Sequence, residues 1–246
     1  MNYREVKTKG YLSHFVKCCW TMQTTKQSVQ HTILPDGYFD LVVELRNNRI
    51  QEIKLTGIWT IAVDVKTPAD TTLLAMRFKP LATLLFPDFN FNTLLNTAVV
   101  LINNFADLDI CSLDFPDFCK HMEQYLLHQL NKQKVVDHRK IILFQEILER
   151  KNFSVQALAI KSCMTSRQIN RYFSTTFGLP LKTYLNIVRL RTTYKNLARQ
   201  ELYPANTYFD QAHYIKEIKK YTGLTPKTLS RNKNDRFLQL STLRTP

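Results

Sequence analysis

The run Thr165-Ser166-Arg167-Gln168-Ile169-Asn170-Arg171-Tyr172-Phe173, continued by Phe177-Gly178-Leu179-Pro180, is the place from which the architecture of this chain can be worked out. Thr165 and Gln168 stand three apart, the T-x-x-Q form of a capping box in which each side chain satisfies the other's backbone N–H. The helix they open is predicted to run to Phe177 and to stop at Gly178, a residue free to take the left-handed conformation just past a helix end. Ile169 and Phe173, four apart, face inward with Met164 just ahead of them. Arg167, Asn170 and Arg171 fall together on the other face. A shorter helix, Ser154 to Ile160 with Ser154 as N-cap, precedes it across the brief turn Ser162-Cys163-Met164. Helix, short turn, capped helix is a helix-turn-helix.

Working outward, the motif repeats. Phe177-Gly178-Leu179-Pro180-Leu181-Lys182-Thr183-Tyr184 is echoed by Thr222-Gly223-Leu224-Thr225-Pro226-Lys227-Thr228-Leu229, and each copy follows a capped helix. The second capped helix is predicted from Asp210 to Tyr221, with Tyr214 and Ile218 inward and Gln211, Ala212 and Lys216 at the matching exposed positions. Leu181 to about Arg199 reads as one long basic helix joining the units. At about 1.5 Å per residue it would be roughly 28 Å long, near the ~34 Å between successive major grooves on one face of B-DNA. A helix-turn-helix presents its second helix to the major groove, where Arg pairs bidentately with guanine and Asn with adenine. Arg167, Asn170, Arg171, Gln211, Ala212 and Lys216 are therefore the expected base readers. Thr165 and Ser166, at a helix start rich in free N–H groups, suit a phosphate.

Charge points the same way. Residues 1–135 carry 14 Lys/Arg against 13 Asp/Glu, whereas residues 136–246 carry 20 against 7, so nearly all of the net +14 lies in the C-terminal part. A neutral half joined to a strongly basic one suits a module that meets a polyanion. Arg189, Arg191, Lys195, Lys219 and Lys220 are expected to supply the salt-dependent attraction to DNA phosphates.

The N-terminal part has the opposite periodicity. Tyr11 to Met22, His31 to Leu34, Phe39 to Leu45, Ile50 to Leu55, Ile58 to Val65 and Thr71 to Phe78 are short β-branched or aromatic runs. Turn signals such as Leu34-Pro35-Asp36-Gly37 and Thr67-Pro68-Ala69-Asp70 separate them. Strands at such spacing suggest an antiparallel sandwich or small barrel. Phe118 to Leu130 then reads as a helix with Met122, Tyr125, Leu126 and Leu130 on one stripe, more useful for packing on its own domain than for dimerisation. Polar Asn131-Lys132-Gln133-Lys134 follows as a linker. The fold class is thus α+β in two domains: residues 1–133 β-rich, and 134–246 all-α, with the first helix-turn-helix over about 154–177, the linker helix over 181–199 and the second recognition helix over 210–221.

Several functions are disfavoured. With 44% apolar and 22% charged residues the chain can bury a core. Its apolar runs fall far short of the roughly 20 residues that span a bilayer, and the N-terminus lacks the apolar segment of an export signal, so the expectation is a cytoplasmic protein with no membrane contact. The five glycines form no phosphate-cradling loop. Cys18, Cys19, Cys111, Cys119 and Cys163 form no metal-binding pattern and read as free thiols. Cys111 and Cys119, in apolar or acidic surroundings (Asp109, Asp114, Asp117), lack the electropositive company of a reactive thiol. His14 and His31 lie far from any ligand partner. Arg77 inside an apolar strand reads as a surface side chain whose stem packs on the sheet, the other reading being a buried anion-binding group. No catalytic residue, metal or cofactor is expected. The rival reading is an enzyme, either a cupin-type metalloenzyme or a DNA-repair protein carrying the same DNA-binding module.

From about His138 to Arg231 the chain resembles the DNA-binding domain of the AraC/XylS family of bacterial transcription regulators. The likeness rests on Ser154-Val155, Leu158-Ala159, Thr165 to Phe173, Phe177 to Pro180, Arg189-Leu190-Arg191, Tyr208 to Glu217 and Tyr221 to Pro226. It implies two helix-turn-helix units bridged by a long helix, with both recognition helices in the major groove of double-stranded DNA. It places the family's base-reading positions on the same six residues. One segment departs: Glu201 to Thr207 is several residues short, Pro204 would interrupt a helix interior, and Thr207 replaces a turn glycine, so a loop is expected to position the second unit. In the N-terminal half, Leu34-Pro35-Asp36-Gly37, Asp40-Leu41-Val42, Gly57 and Met76-Arg77-Phe78-Lys79-Pro80 are similar to a β-rich, sensor-like domain found ahead of such modules. That likeness implies a cupin-like barrel and transfers no ligand; a ligand-responsive module, in which the barrel holds a small-molecule effector that the sequence does not name, is a further reading compatible with DNA binding. RNA polymerase and a second copy of the chain are further candidate partners.

Overall fold

The computed structural model describes residues 2–101, 114–132, 136–149, 154–203, 208, 210–231, 236–241 and 243. Cys111 and Asp109, Gln133 and Lys134 of the expected linker, and Pro204 to Thr207 lie outside them.

Among the described residues, eight strands build the N-terminal part: β1 (Asn2–Lys7), β2 (Val16–Gln23), β3 (Val29–Ile33), β4 (Phe39–Arg46), β5 (Arg49–Thr56), β6 (Val63–Thr67), β7 (Thr71–Phe78) and β8 (Ala98–Val100). They form a six-stranded antiparallel sheet in the order β1-β2-β7-β4-β5-β8 and a two-stranded sheet of β3 and β6. Tyr11 to Met22 is not one strand. Tyr11–His14 is a 3₁₀ turn entered through Gly10 at φ 62°, with the Ser13 hydroxyl donating to the Gly10 carbonyl, and β2 begins only at Val16. β1 gives little sequence signal because it is an edge strand and mostly exposed.

Strand alternation divides the large sheet into two chemically different faces. Phe39, Leu41, Val43, Leu74, Met76 and Phe78 point to one side. There they meet helix α1 (Phe115–Lys132), which contributes Phe118, Cys119, Met122, Leu126 and Leu130, so its stripe is used within the domain. Trp20, Met22, Val42, Leu73 and Ala75 point to the other side, toward β3 and β6.

The C-terminal part is helical. α2 (His138–Glu149) and α3 (Val155–Lys161) lead into α4 (Ser166–Phe177), followed by α5 (Leu181–Thr192), α6 (Tyr194–Ala198), α7 (Gln211–Thr222), α8 (Pro226–Ser230) and α9 (Leu238–Ser241). The expected single helix 181–199 is interrupted at Thr193. The Thr192 and Thr193 hydroxyls donate to the Arg189 and Leu190 carbonyls three residues back, which tightens the turn at that point.

The two parts share one interior. Apolar packing continues from the sheet through Ile141, Phe144, Ile147 and Leu158 to Ile169, Phe173, Phe177 and Tyr184. A second cluster joins Leu34 of the N-terminal part to Ile187, Leu190, Tyr194 and Leu197 of the linker, to Tyr214, Ile218 and Tyr221 of α7, and to Phe237 and Leu240 near the C-terminus. The charge asymmetry seen in the sequence is therefore a property of surface rather than a sign of separate cores.

Candidate nucleic-acid interface and interior cavity

The first helix-turn-helix is built as its local chemistry dictates. The Ser154 hydroxyl accepts from the Ala157 N–H, and the Ser162-Cys163-Met164 turn has Cys163 at φ 51°. Both halves of the capping box form: the Gln168 N–H donates to Thr165 Oγ1 at 3.1 Å and the Thr165 N–H to Gln168 Oε1 at 2.8 Å. Gly178 ends α4 at φ 68°. Ile169, Phe173 and Phe177 are buried, and Phe173 packs against Phe144 and Tyr184 with ring centroids 5.7 and 5.1 Å apart. Arg167, Asn170 and Arg171 are exposed on the opposite face, with Thr165 exposed and Ser166 half-buried at the helix start. The Asn170 amide donates to the Ser166 carbonyl of its own helix at 2.9 Å.

α7 repeats the arrangement. Asp210 caps it by accepting from the His213 N–H at 2.7 Å, and Gly223 closes it at φ 72°. Tyr214 and Ile218 are buried, whereas Gln211, Ala212, Lys216, Lys219 and Lys220 are exposed. The chain ahead of it at Glu201–Tyr203 is not helical, and Tyr203 and Tyr208 lean on Tyr214 with centroids 6.3 and 5.0 Å apart.

The basic residues of the linker divide. Lys195 is exposed, whereas Arg189 is half-buried and donates to Asn186 Oδ1. Arg191, expected at DNA phosphates, instead turns toward the β-rich part, where its Nη1 donates to the Asp36 carbonyl and its guanidinium stacks on Tyr38. It is one of three donors on a single stripe of the linker: Tyr184 Oη donates to the Gly37 carbonyl at 3.1 Å, Arg191 to that of Asp36 at 3.0 Å, and Tyr194 Oη to that of Pro35 at 2.6 Å. Three successive carbonyls of the Pro35-Asp36-Gly37 turn are thereby satisfied by the helical half. The turn is a docking latch, a role that its local chemistry does not announce. The spacing of Tyr184, Arg191 and Tyr194, seven and then three residues apart, was the available signal.

Arg77 corrects the surface reading. It is buried at 8% exposure, and β4 and β7 pair in a register that sets it opposite Asp40. Its Nε and Nη2 donate to the two Asp40 carboxylate oxygens at 3.0 and 3.3 Å, Nη1 lies 3.6 Å from Asp36 Oδ2, and Trp20 Nε1 donates to Asp40 Oδ1 at 2.9 Å. The two carboxylates hold the guanidinium charged against the cost of its burial. Asp36 thus ties the sheet to the latch.

Two further contacts hold α4 and α7 by their C-terminal ends. The Asn92 amide donates to the Ser174 carbonyl of α4 at 3.4 Å, and the Ala62 N–H donates to the Tyr221 carbonyl of α7 at 3.0 Å. Both contacts leave the N-terminal turns of α4 and α7 uncovered.

Between the second face of the large sheet and the β3–β6 pair lies a cavity of about 290 Å³. Trp20, Met22, Val42, Leu73, Trp59 and Leu238 give it apolar walls. Leu238 comes from the C-terminal segment: the Thr32 N–H donates to the Arg236 carbonyl at 2.6 Å, Thr32 bridges Phe237 in parallel, and the Leu34 N–H donates to Gln239 Oε1 at 2.7 Å. Among the described residues no group of three or more His, Cys, Asp or Glu is placed to hold a metal ion, and no helix is long and apolar enough to cross a membrane.

Residues 4–100 match the model of a family described as a domain of unknown function (DUF6597). No curated protein sequence matches the chain. Among solved structures it is similar to ToxT from Vibrio cholerae, an AraC/XylS-family regulator. A single-substitution variant of ToxT in its apo form is 11% identical over 86% of this chain and 96% of its own, with a TM-score of 0.42. ToxT bound to (E)-4-(8-methylnaphthalen-1-yl)but-3-enoic acid is 10% identical over 97% and 98%, with a TM-score of 0.41. Wild-type ToxT with a bound unsaturated fatty acid is 11% identical over 86% and 93%, with a TM-score of 0.38.

Proposed function

We propose that the protein is a sequence-specific regulator of transcription that binds double-stranded DNA through α4 and α7 and takes a small-molecule effector in the cavity of its β-rich part. The observation that carries this reading is α4 itself: a helix fixed at both ends, with its apolar stripe buried and Arg167, Asn170 and Arg171 together on the face turned to solvent. These three would read bases. Arg189, Lys195, Lys219 and Lys220 would neutralise phosphates and the hydroxyls of Thr165 and Ser166 would hydrogen-bond them, which positions the protein without specifying sequence. Gln211, Ala212 and Lys216 would read a second groove. Arg191 is left out of the phosphate set because the latch occupies it.

Selection of bound fragments from a random double-stranded library at physiological salt tests the reading. A motif spanning two successive grooves supports both units. A half-length motif assigns recognition to α4 alone. Uniform recovery of all sequences would refute sequence-specific binding.

A further inference from the structure

We propose that the cavity accepts an uncharged, largely apolar ligand, and that its occupancy acts mainly on the second recognition helix, with the C-terminal segment Arg236–Ser241 as the wall that transmits it. The proposal rests on the effector reading of the cavity and adds the class of ligand and the direction of control.

The class follows from how the lining charges are already used. Arg77 is paired with Asp40 and Asp36, Lys54 with Glu52, and Glu44 with Arg46; the buried His31, also in the lining, is itself engaged, and Lys66 is exposed to water on β6. Away from the solvated Lys66, a ligand carboxylate or ammonium would have to break one of these pairs or lie without a partner, and a desolvated charge without a partner is costly. The apolar walls, among them both tryptophans of the chain, offer burial to an uncharged body instead.

The direction of control follows from where the walls lead. Leu238 faces the cavity, while its neighbours Phe237 and Leu240 pack in the cluster that holds Tyr214, Ile218 and Tyr221 of α7. Trp59 also lines the cavity, and three residues on Ala62 donates its N–H to the Tyr221 carbonyl. Two walls therefore end on α7. The contact to α4, through Asn92, comes from a residue that does not line the cavity. The third route, Arg77 to Asp36 and the latch, reaches the linker that both units share.

Two measurements on the full chain test this. Decanol and decanoate, equal in length and different in charge, are titrated against the emission of Trp20 and Trp59. Decanol is expected to bind at least about tenfold more tightly, roughly 1.4 kcal/mol; equal or tighter binding of decanoate, or no binding of either, overturns the ligand class. Amide exchange is then compared between the wild type and Leu238→Ala, which shortens only the cavity-facing side chain, with Leu238→Val as the milder variant should the first not fold. Exchange in residues 213–222 is expected to change by about fivefold or more, and in 168–177 by less than about twofold. No change in α7, or an equal change in α4, overturns the coupling. Because this second arm uses no ligand, it decides the coupling even if failure of both probes to bind removes the effector reading.

Discussion

Arg191 and Asp36 lie 155 residues apart in the chain, yet the Arg191 guanidinium donates from Nη1 to the Asp36 carbonyl at 3.0 Å. That bond, flanked by those of Tyr184 and Tyr194, places the linker between α4 and α7 under the hold of the β-rich half. The latch therefore sets the frame in which α4 and α7 are held relative to the β-rich half.

Tyr194→Phe tests the latch. It leaves the buried Pro35 carbonyl without its donor, and orphaning a buried acceptor costs about 1–3 kcal/mol. Urea unfolding should show a loss in that range, with a matching loss for Tyr184→Phe at Gly37. Unchanged midpoints for both would show that the turn carbonyls find water instead.

Arg77→Ala strands two carboxylates, Asp40 and Asp36, at a site with little access to water. Removing one partner of a buried ion pair costs about 3–5 kcal/mol. Thermal unfolding should show a correspondingly large drop, well beyond that of Arg46→Ala, whose pair with Glu44 is largely solvated. A loss below about 1 kcal/mol would place Arg77 among exposed pairs.

Gly178 and Gly223 cap α4 and α7 at positive φ, and they separate backbone strain from crowding. A Cβ at Gly223 meets nothing within 4 Å, whereas one at Gly178 would lie 2.6 Å from Asn92 Oδ1 and 3.0 Å from the Asn92 carbonyl. Gly223→Ala should cost only the left-handed penalty of about 1–2 kcal/mol. Gly178→Ala should cost more, and Asn92→Ala in the same chain should recover part of the excess. Equal costs at the two sites would mean that the Asn92 loop does not sit against α4.

The thiols differ in reactivity for physical reasons. Burial pushes the Cys18 thiol up to about 12, so at pH 8 its thiolate is only about one part in ten thousand, and Cys19 is also held high by its contact with Cys119 and by burial. Cys163 is exposed in the turn before α4. Alkylation at pH 8 read by mass spectrometry should label Cys163 first, with Cys18 and Cys19 following only in denaturant. Early labelling of Cys18 would contradict its burial under Trp20 and Met22.

The helical half was legible in the sequence because its signals are local. A capping box, an i, i+4 apolar pair and a glycine stop each act within one turn of chain, and the structure places Thr165, Gln168, Ile169, Phe173 and Gly178 accordingly. Most strands were legible by alternation, while β1 was hidden by the polarity of an exposed edge. What could not be read were the long-range contacts. Arg191 looks like any other basic residue of the linker until the 34–37 turn is seen beside it. Arg77 reads as a surface arginine until strand register sets it across from Asp40. Leu238 gives no sign in the sequence that it forms a wall of a cavity in the other half.

The central claim is that α4 reads DNA bases, and Arg171→Ala tests it most directly. Binding of wild type and variant is measured on the selected site and on an unrelated duplex at the same salt. A loss of about 1–3 kcal/mol is expected on the selected site with little change on the unrelated one. An equal loss on both would reduce Arg171 to a phosphate contact, and no loss on either would remove the exposed face of α4 from the interface.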